Sequence, residues 1–199
     1  MSDFCEANPL SNNDIFALAD KYRKLFGIEN SMYINIIDIL ERKLCELFPE
    51  YSLEIVSKEE MPNLHGLTIP NNNEIKIRED VYEGAINGNG RDRFTIAHEI
   101  FHFLYHRDKH IVNCVGFART ERKIPTYMDP EWQADAFAGA FLMDRKLIKN
   151  LSIKEIMKLC GVSKAAAKTQ KSKIEKMDKK SLYKKNQTIL FGQYLNNND

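Results

Sequence analysis

One stretch of the chain, residues 92–106, combines the apolar spacing of a core-facing helix with two histidines one turn apart. The apolar residues that fall on one face of such a helix include Phe94, Ala97 and Leu104. His98 and His102 lie on the flank of that face, and Asp92 is expected to cap the helix. A polar side chain at the edge of a buried surface is costly unless it has a partner. The spacing therefore predicts that the two imidazoles share a partner.

A divalent metal ion is the partner that this spacing favours. Imidazoles at positions i and i+4 can converge on one ion, and Glu99 stands beside them as a base for the attacking water. The alternative is a solvated histidine face, since His102 and His106, and His106 and His110, repeat the same spacing. Only His98 is followed by a glutamate. His106 lies two turns from His98, about 12 Å away, and is not expected to be the third ligand.

A third ligand is expected because a catalytic zinc site has three protein ligands. Asp129 and Pro130 are typical of a helix start, and Glu131 and Asp135 follow on one face of that helix. One of the two carboxylates can bind the metal, while the other accepts the free N–H of a ligand histidine. The alternative is that both are early-helix acids favoured by the helix dipole.

Within short runs between residues 53 and 78, upstream of the histidine helix, apolar residues recur at every second position, which is typical of strands. Short alternating runs at 53–56, 66–69 and 74–78 predict an α+β fold, in which a small, mostly antiparallel sheet packs against helices. The last two runs form a predicted hairpin around the asparagines at 71–73. Its second strand is a candidate for pairing with an extended substrate, although a hairpin packed on the core explains it equally well. The residues of that strand are Glu74, Ile75, Lys76, Ile77 and Arg78.

The chain divides into three predicted segments: an N-terminal tail and helix (1–30), a central domain (31–150) and a C-terminal helical extension (151–199). Residues 1–10 are expected to be a loose tail. The extension resembles a helix-turn-helix, with helices at 152–160 and 164–177, and nine lysines between Lys164 and Lys185. A lysine stripe of this kind can neutralise DNA phosphates. Because the stripe contains no arginine, a structural or substrate-docking role is the favoured interpretation.

Composition sets the expected environment of the protein. The net charge of +1 favours neither nucleic acid nor membrane, and no apolar run approaches the roughly 18 residues of a membrane span. The N-terminus has no pattern of a secretory signal. The four cysteines lie far apart and predict free thiols in a reducing compartment, namely Cys5, Cys45, Cys114 and Cys160.

The two motifs together resemble the ImmA/IrrE family of metallopeptidases. Residues 93–102 read RFTIAHEIFH against the family's R-F-T-x-A-H-E-x-x-H, and residues 131–143 follow its later E-x-x-A-N-x-F-A helix. Asp135 replaces a frequent Asn, Phe101 a frequent Gly, and Asp144 a frequent Pro. The resemblance covers about residues 33 to 150. It implies a zincin-like (gluzincin) core, one Zn²⁺ per chain, and Glu131 as the third ligand.

The functional expectation is a zinc-dependent endopeptidase. The resemblance implies a bacterial, cytoplasmic enzyme whose substrate is a DNA-binding repressor of a mobile element or stress regulon. Tyr127 is a candidate for stabilising the oxyanion, with Tyr105 and His110 as alternatives. The competing hypothesis is a regulator that binds DNA or a repressor through its C-terminal helices and carries a non-catalytic metal.

Overall fold

The computed structural model describes residues 4–107, 111–115 and 124–196. Its helices are α1 (Asn12–Leu25), α2 (Ile36–Asp38), α3 (Leu44–Leu47), α4 (Glu79–Ile86), α5 (Gly90–Phe101), α6 (Pro130–Leu142), α7 (Arg145–Ile148), α8 (Ile153–Cys160) and α9 (Lys164–Asn196). Two π-helical segments, Ile39–Lys43 and His102–His106, continue α2 and α5. The strands are β1 (Phe4–Ala7), β2 (Ser52–Val56), β3 (Gly66–Ile69), β4 (Glu74–Arg78) and β5 (Ile111–Val115). The α+β class is confirmed.

The main sheet is mixed, so the expectation of a mostly antiparallel sheet is wrong. Its order is β2-β4-β3. The predicted hairpin of β3 and β4 is antiparallel, whereas β2 runs parallel to β4, with Leu53 opposite Ile75. The alternation of apolar and polar residues within each run identified the strands. It does not determine whether β2 runs parallel or antiparallel to β4, because that depends on the path of the connection through residues 57–65. Ile75 and Ile77 on the central strand are fully buried.

A second, two-stranded sheet corrects the prediction of a loose N-terminal tail. Residues Phe4–Ala7 form β1, which pairs antiparallel with β5. The backbone partner of this strand lies more than one hundred residues away, and no local pattern in residues 1–10 indicates it. The proposed division at residues 30 and 150 stays a prediction. A single hydrophobic core includes residues from all three segments, among them Phe16, Phe101 and Ile156.

Helices α5 and α6 pack through an aromatic stack. The Phe101 ring stacks on Phe137 with centroids 4.5 Å apart, and Phe137 stacks on Phe141 at 5.2 Å. Phe101 therefore fills the α5–α6 contact where the family often has glycine. Ala97 and Ala134 are fully buried, and small residues allow the two helices to approach closely.

The start of α5 differs from the sequence prediction. The cap of α5 is Asn89, whose side chain accepts a hydrogen bond from the Arg91 amide at 3.0 Å, and not Asp92. Asn and Asp are both residue types that cap helices, so residue type alone does not decide between the two positions.

Asp144 has a capping role where the family often has proline. Its carboxylate accepts hydrogen bonds from the amides of Lys146 and Leu147, at 2.7 and 3.3 Å, and so begins α7. It also lies 3.7 Å from the buried Arg23 guanidinium. Aspartate at this position, in place of proline, therefore provides a charged partner for the buried Arg23.

Arg93 of the first motif ties α5 to the C-terminal helices. It is 1% exposed, and its guanidinium donates hydrogen bonds to the carbonyls of Gly161 (3.0 Å), Ile34 (2.8 Å) and Cys160 (3.3 Å). The same group lies 3.9 Å from the centre of the Tyr33 ring. One side chain thus satisfies the carbonyl end of α8 and fixes it against α5.

The Arg93→Met substitution is expected to lower the free energy of unfolding by about 2–4 kcal/mol, because it leaves buried carbonyls without a donor. Urea unfolding followed by circular dichroism measures the change. Arg91→Met, on the exposed side of the same helix, is the matched control and should shift stability by no more than about 0.5 kcal/mol. Equal stability of the two variants would contradict the structural role of Arg93.

Candidate metal centre

The three predicted ligands lie together between α5 and α6. The Nε2 atoms of His98 and His102 are 3.0 Å apart. The Glu131 carboxylate lies 3.2 Å from His98 Nε2 and 3.5 Å from His102 Nε2. The three residues are the group, among the described residues, whose donor atoms could hold a metal ion.

These distances fit a zinc ion. Donor atoms that are about 2.0–2.1 Å from a tetrahedral ion lie about 3.3–3.4 Å from one another, close to the separations in this cluster. Two imidazoles and a carboxylate are also a common donor set for catalytic zinc. The local sequence places the carboxylate: Asp129 caps α6 by accepting from the Glu131 amide at 2.9 Å, and Pro130 opens the helix. Glu131 therefore sits in the first turn of α6.

Asp135 holds His98 in the orientation that a ligand needs. Its Oδ1 lies 2.9 Å from His98 Nδ1, so a proton on Nδ1 leaves Nε2 facing Glu131 and His102. Burial alone would lower the pKa of His98, but hydrogen bonds with Asp135 and Glu131 outweigh it and raise the pKa to about 10. The hydrogen bond with His98 in turn lowers the pKa of Glu131. Without a cation, His98 is thus protonated between two carboxylates.

His102 is oriented by two residues that the sequence prediction did not assign. Its Nδ1 lies 2.9 Å from His106 Nδ1, and His106 Nε2 lies 2.9 Å from Gln133 Oε1. The Gln133 amide donates to the carbonyls of Asn8 and Tyr127, both at 2.8 Å. A single ordering of protons satisfies this chain: His102 donates to His106, and His106 donates to Gln133. The free Nε2 of His102 is then an acceptor for a metal.

The π-helical segment places His106 in this role. Widening of the helix after Phe101 turns His106 inward, where it is 3% exposed. The hypothesis of a solvated histidine face is therefore wrong for His106. Burial and the neighbouring imidazoles lower the pKa of His102 to about 3, so this ring stays neutral. No pattern in the sequence indicates the π segment, although its occurrence at a functional site is common.

Glu99 is buried beside the cluster under strand β3. It is 8% exposed, and burial raises its pKa. The Thr68 hydroxyl donates to Glu99 Oε2 at 2.8 Å. Strand β3 approaches so closely that a Cβ on Gly66 would fall 2.6 Å from Glu99 Cγ. Thr68 and Gly66 are thus further site residues, which only the packing of the sheet on α5 identifies.

Other predicted site residues lie elsewhere. Tyr127 is 50% exposed, and its role stays a prediction. Tyr105 stacks on Phe101 at 5.3 Å, and His110 lies outside the described residues. The proposal that strand 74–78 pairs with substrate is wrong, because β4 has neighbours on both edges. The residues of β4 are also largely engaged: Ile75 and Ile77 are buried, and Arg78 pairs with Asp80.

The C-terminal helices pack on the domain. Ala167, Gln170 and Ile174 of α9 are buried at helical spacing, so one face of this helix is part of the core. The expectation of free cysteines holds for Cys45 and Cys160 among the described residues. DNA contact by the lysines stays a prediction.

Comparison with known families places this site in a peptidase domain. Residues 78–170 match the peptidase family described as an IrrE N-terminal-like domain, and the match includes both motif helices. This match supports the resemblance to the ImmA/IrrE family over the residues that it covers. No curated protein matched the chain. Among the described residues, no helix has both the length and the apolar content that crossing a membrane requires.

Metal binding at pH 7 is expected to release about one proton, because His98 is protonated below its pKa of about 10 when no cation is bound. Affinity for zinc should therefore rise with pH up to that value, by up to about tenfold per unit. Calorimetry in two buffers of different ionisation enthalpy measures the proton release.

Asp135→Asn is the matched control, since it removes the charge that favours protonated His98. This variant should release fewer protons on binding zinc. Equal proton release by the two proteins, or an affinity that is constant between pH 6 and 8, would contradict the assigned protonation of His98.

Proposed function

We propose that the chain is a zinc-dependent endopeptidase that cleaves a specific protein in the bacterial cytoplasm. The proposed substrate is a DNA-binding repressor of a mobile element or a stress regulon. The observation that carries the proposal is the convergence of His98, His102 and Glu131 beside the buried carboxylate of Glu99. Among the described residues this group has three members and no fourth, as in an open site; structural zinc sites close with four.

Zinc held by His98, His102 and Glu131 would supply a Lewis acid that polarises the scissile carbonyl and makes water more acidic. Glu99 is the proposed base: its carboxylate accepts a proton from the attacking water and then donates it to the leaving amine. Burial suits this exchange, since a raised pKa brings the carboxyl closer to the pH at which it must both accept and release a proton. The Thr68 hydroxyl holds one carboxylate oxygen in place.

Strand β3 is the proposed site for aligning the substrate. It is one of the two edge strands of the main sheet, and it is the one that lies directly over Glu99. An extended peptide that pairs with this edge would run past the catalytic carboxylate. An added substrate strand is therefore expected beside β3 and not beside β4, which is the central strand.

Glu99→Gln should keep zinc bound yet reduce cleavage by about 10²–10⁴-fold, because the amide cannot accept the proton. The assay mixes purified protein with repressors encoded by its host and its mobile elements, with and without a chelator. Glu83→Gln, on the exposed face of α4, is the control and should cleave as the parent does. Cleavage by Glu99→Gln at the parental rate would refute the role of Glu99.

Thr68→Val should move the acidic limb of the kcat/KM profile to higher pH. The hydrogen bond from Thr68 lowers the pKa of Glu99, so its removal raises that pKa, and a carboxylate base acts only above its pKa. Zinc content should not change. An unshifted limb in this variant would mean that Glu99 is not the group whose ionisation limits the rate.

A further inference from the structure

A pocket of about 540 Å³ lies next to the metal centre, between α5, α6 and α9. Thr95 on α5 and Trp132 and Asp135 on α6 form one side of it, and Gln170 and Lys173 on α9 form the other. Asp135 also holds His98. The pocket therefore begins one hydrogen bond away from a proposed metal ligand, where a residue flanking the scissile bond would lie.

Gln170 brings a buried donor without a partner to this pocket. It is 2% exposed, and its Nε2 has no hydrogen-bond partner among the described residues. Gly139 of α6 leaves room for this side chain, since a Cβ there would lie 3.0 Å from Gln170 Oε1. A buried donor of this kind favours any ligand that offers it an acceptor oxygen.

The charges around the pocket favour an anionic ligand. Lys173 and Arg91 line it, and neither forms an ion pair with a described residue. Burial lowers the pKa of Lys173, and its amino group lies 5.9 Å from the centre of the Trp132 ring. The single carboxylate of the lining, on Asp135, is hydrogen-bonded to His98, and its charge only partly offsets the effect of burial on the pKa of Lys173. A cation that has lost part of its hydration gains most from a charged acceptor.

We infer that this pocket selects substrates with an acidic side chain next to the scissile bond. The carboxylate would accept from Gln170 Nε2 and Lys173 Nζ, and its methylene groups would pack on Trp132. This inference rests on the proposed peptidase function, because it takes the bound acidic side chain to belong to a peptide that the protein cleaves. The binding of an acidic side chain in the pocket does not depend on that function.

The first test is the cleavage of a mixed peptide library by the zinc-loaded full-length protein, read by mass spectrometry. Glutamate or aspartate should be enriched at one position beside the cut. For a matched peptide pair, Lys173→Glu and Gln170→Glu should each lower the kcat/KM ratio of the Glu peptide to the Gln peptide by tenfold or more. Lys176→Glu, with the same charge change on the exposed face of α9, should keep the parental ratio.

The second test needs no catalysis. Trp132 is the one tryptophan of the chain, so its fluorescence reports on the pocket. N-acetyl-glutamate N-methylamide should change this fluorescence in the zinc-loaded parent, while the corresponding glutamine compound should not. Lys173→Glu should abolish the fluorescence change if the probe binds in the pocket. If zinc coordinated the probe carboxylate instead, the fluorescence change would persist in this variant.

The two tests separate the pocket from the peptidase activity. If the acidic probe changes the Trp132 fluorescence in a way that depends on Lys173, but no peptide is cleaved, the result would support the pocket and count against the proposed function. Cleavage without acidic preference, or a preference that survives both substitutions, would overturn the inference. So would equal fluorescence changes with the acidic and the neutral probe.

Discussion

The packing of α5 on α6 sets every distance in the metal centre. His98 and His102 come from one helix and its π-helical continuation, and Glu131 comes from the other. A shift of one helix past the other would separate donor atoms that now lie 3.0–3.5 Å apart. The stack of Phe101 on Phe137 opposes such a shift, since each buried aromatic ring contributes about 1.5–3 kcal/mol. The apolar contact therefore holds a polar cluster that would otherwise relax.

Each polar group at this contact has an outer partner. Asp135 orients His98, the His106 and Gln133 pair orients His102, and Thr68 orients Glu99. These partners come from α6, the π-helical segment and β3, and the inner face of α9 closes the adjacent pocket. The site is thus supported by long-range packing on several sides, and Arg93 extends that support by joining α5 to α8. Preorganisation of this kind is what catalytic donor sets require.

The sequence was most informative where a local period carries the chemistry. His98 with His102, and Glu131 with Asp135, could be placed because residues four apart share a helix face. The pairing of the two distant helices was proposed from the need for a third metal ligand, and the family resemblance then implied Glu131. The parallel β2, the strand β1 and the partner Gln133 depend on contacts across the chain, and no local period encodes them. The π segment at His102–His106 breaks the regular helical spacing, so a calculation based on 3.6 residues per turn could not place His106.

Zinc K-edge X-ray absorption of the purified protein tests the central claim most directly. We expect one zinc per chain, with a first shell of nitrogen and oxygen at about 2.0–2.1 Å and the multiple-scattering pattern of two imidazoles. In Glu131→Ala one oxygen ligand should be replaced or the metal lost. A sulfur ligand at about 2.3 Å, or an unchanged spectrum in Glu131→Ala, would contradict the assignment of His98, His102 and Glu131 as the metal ligands.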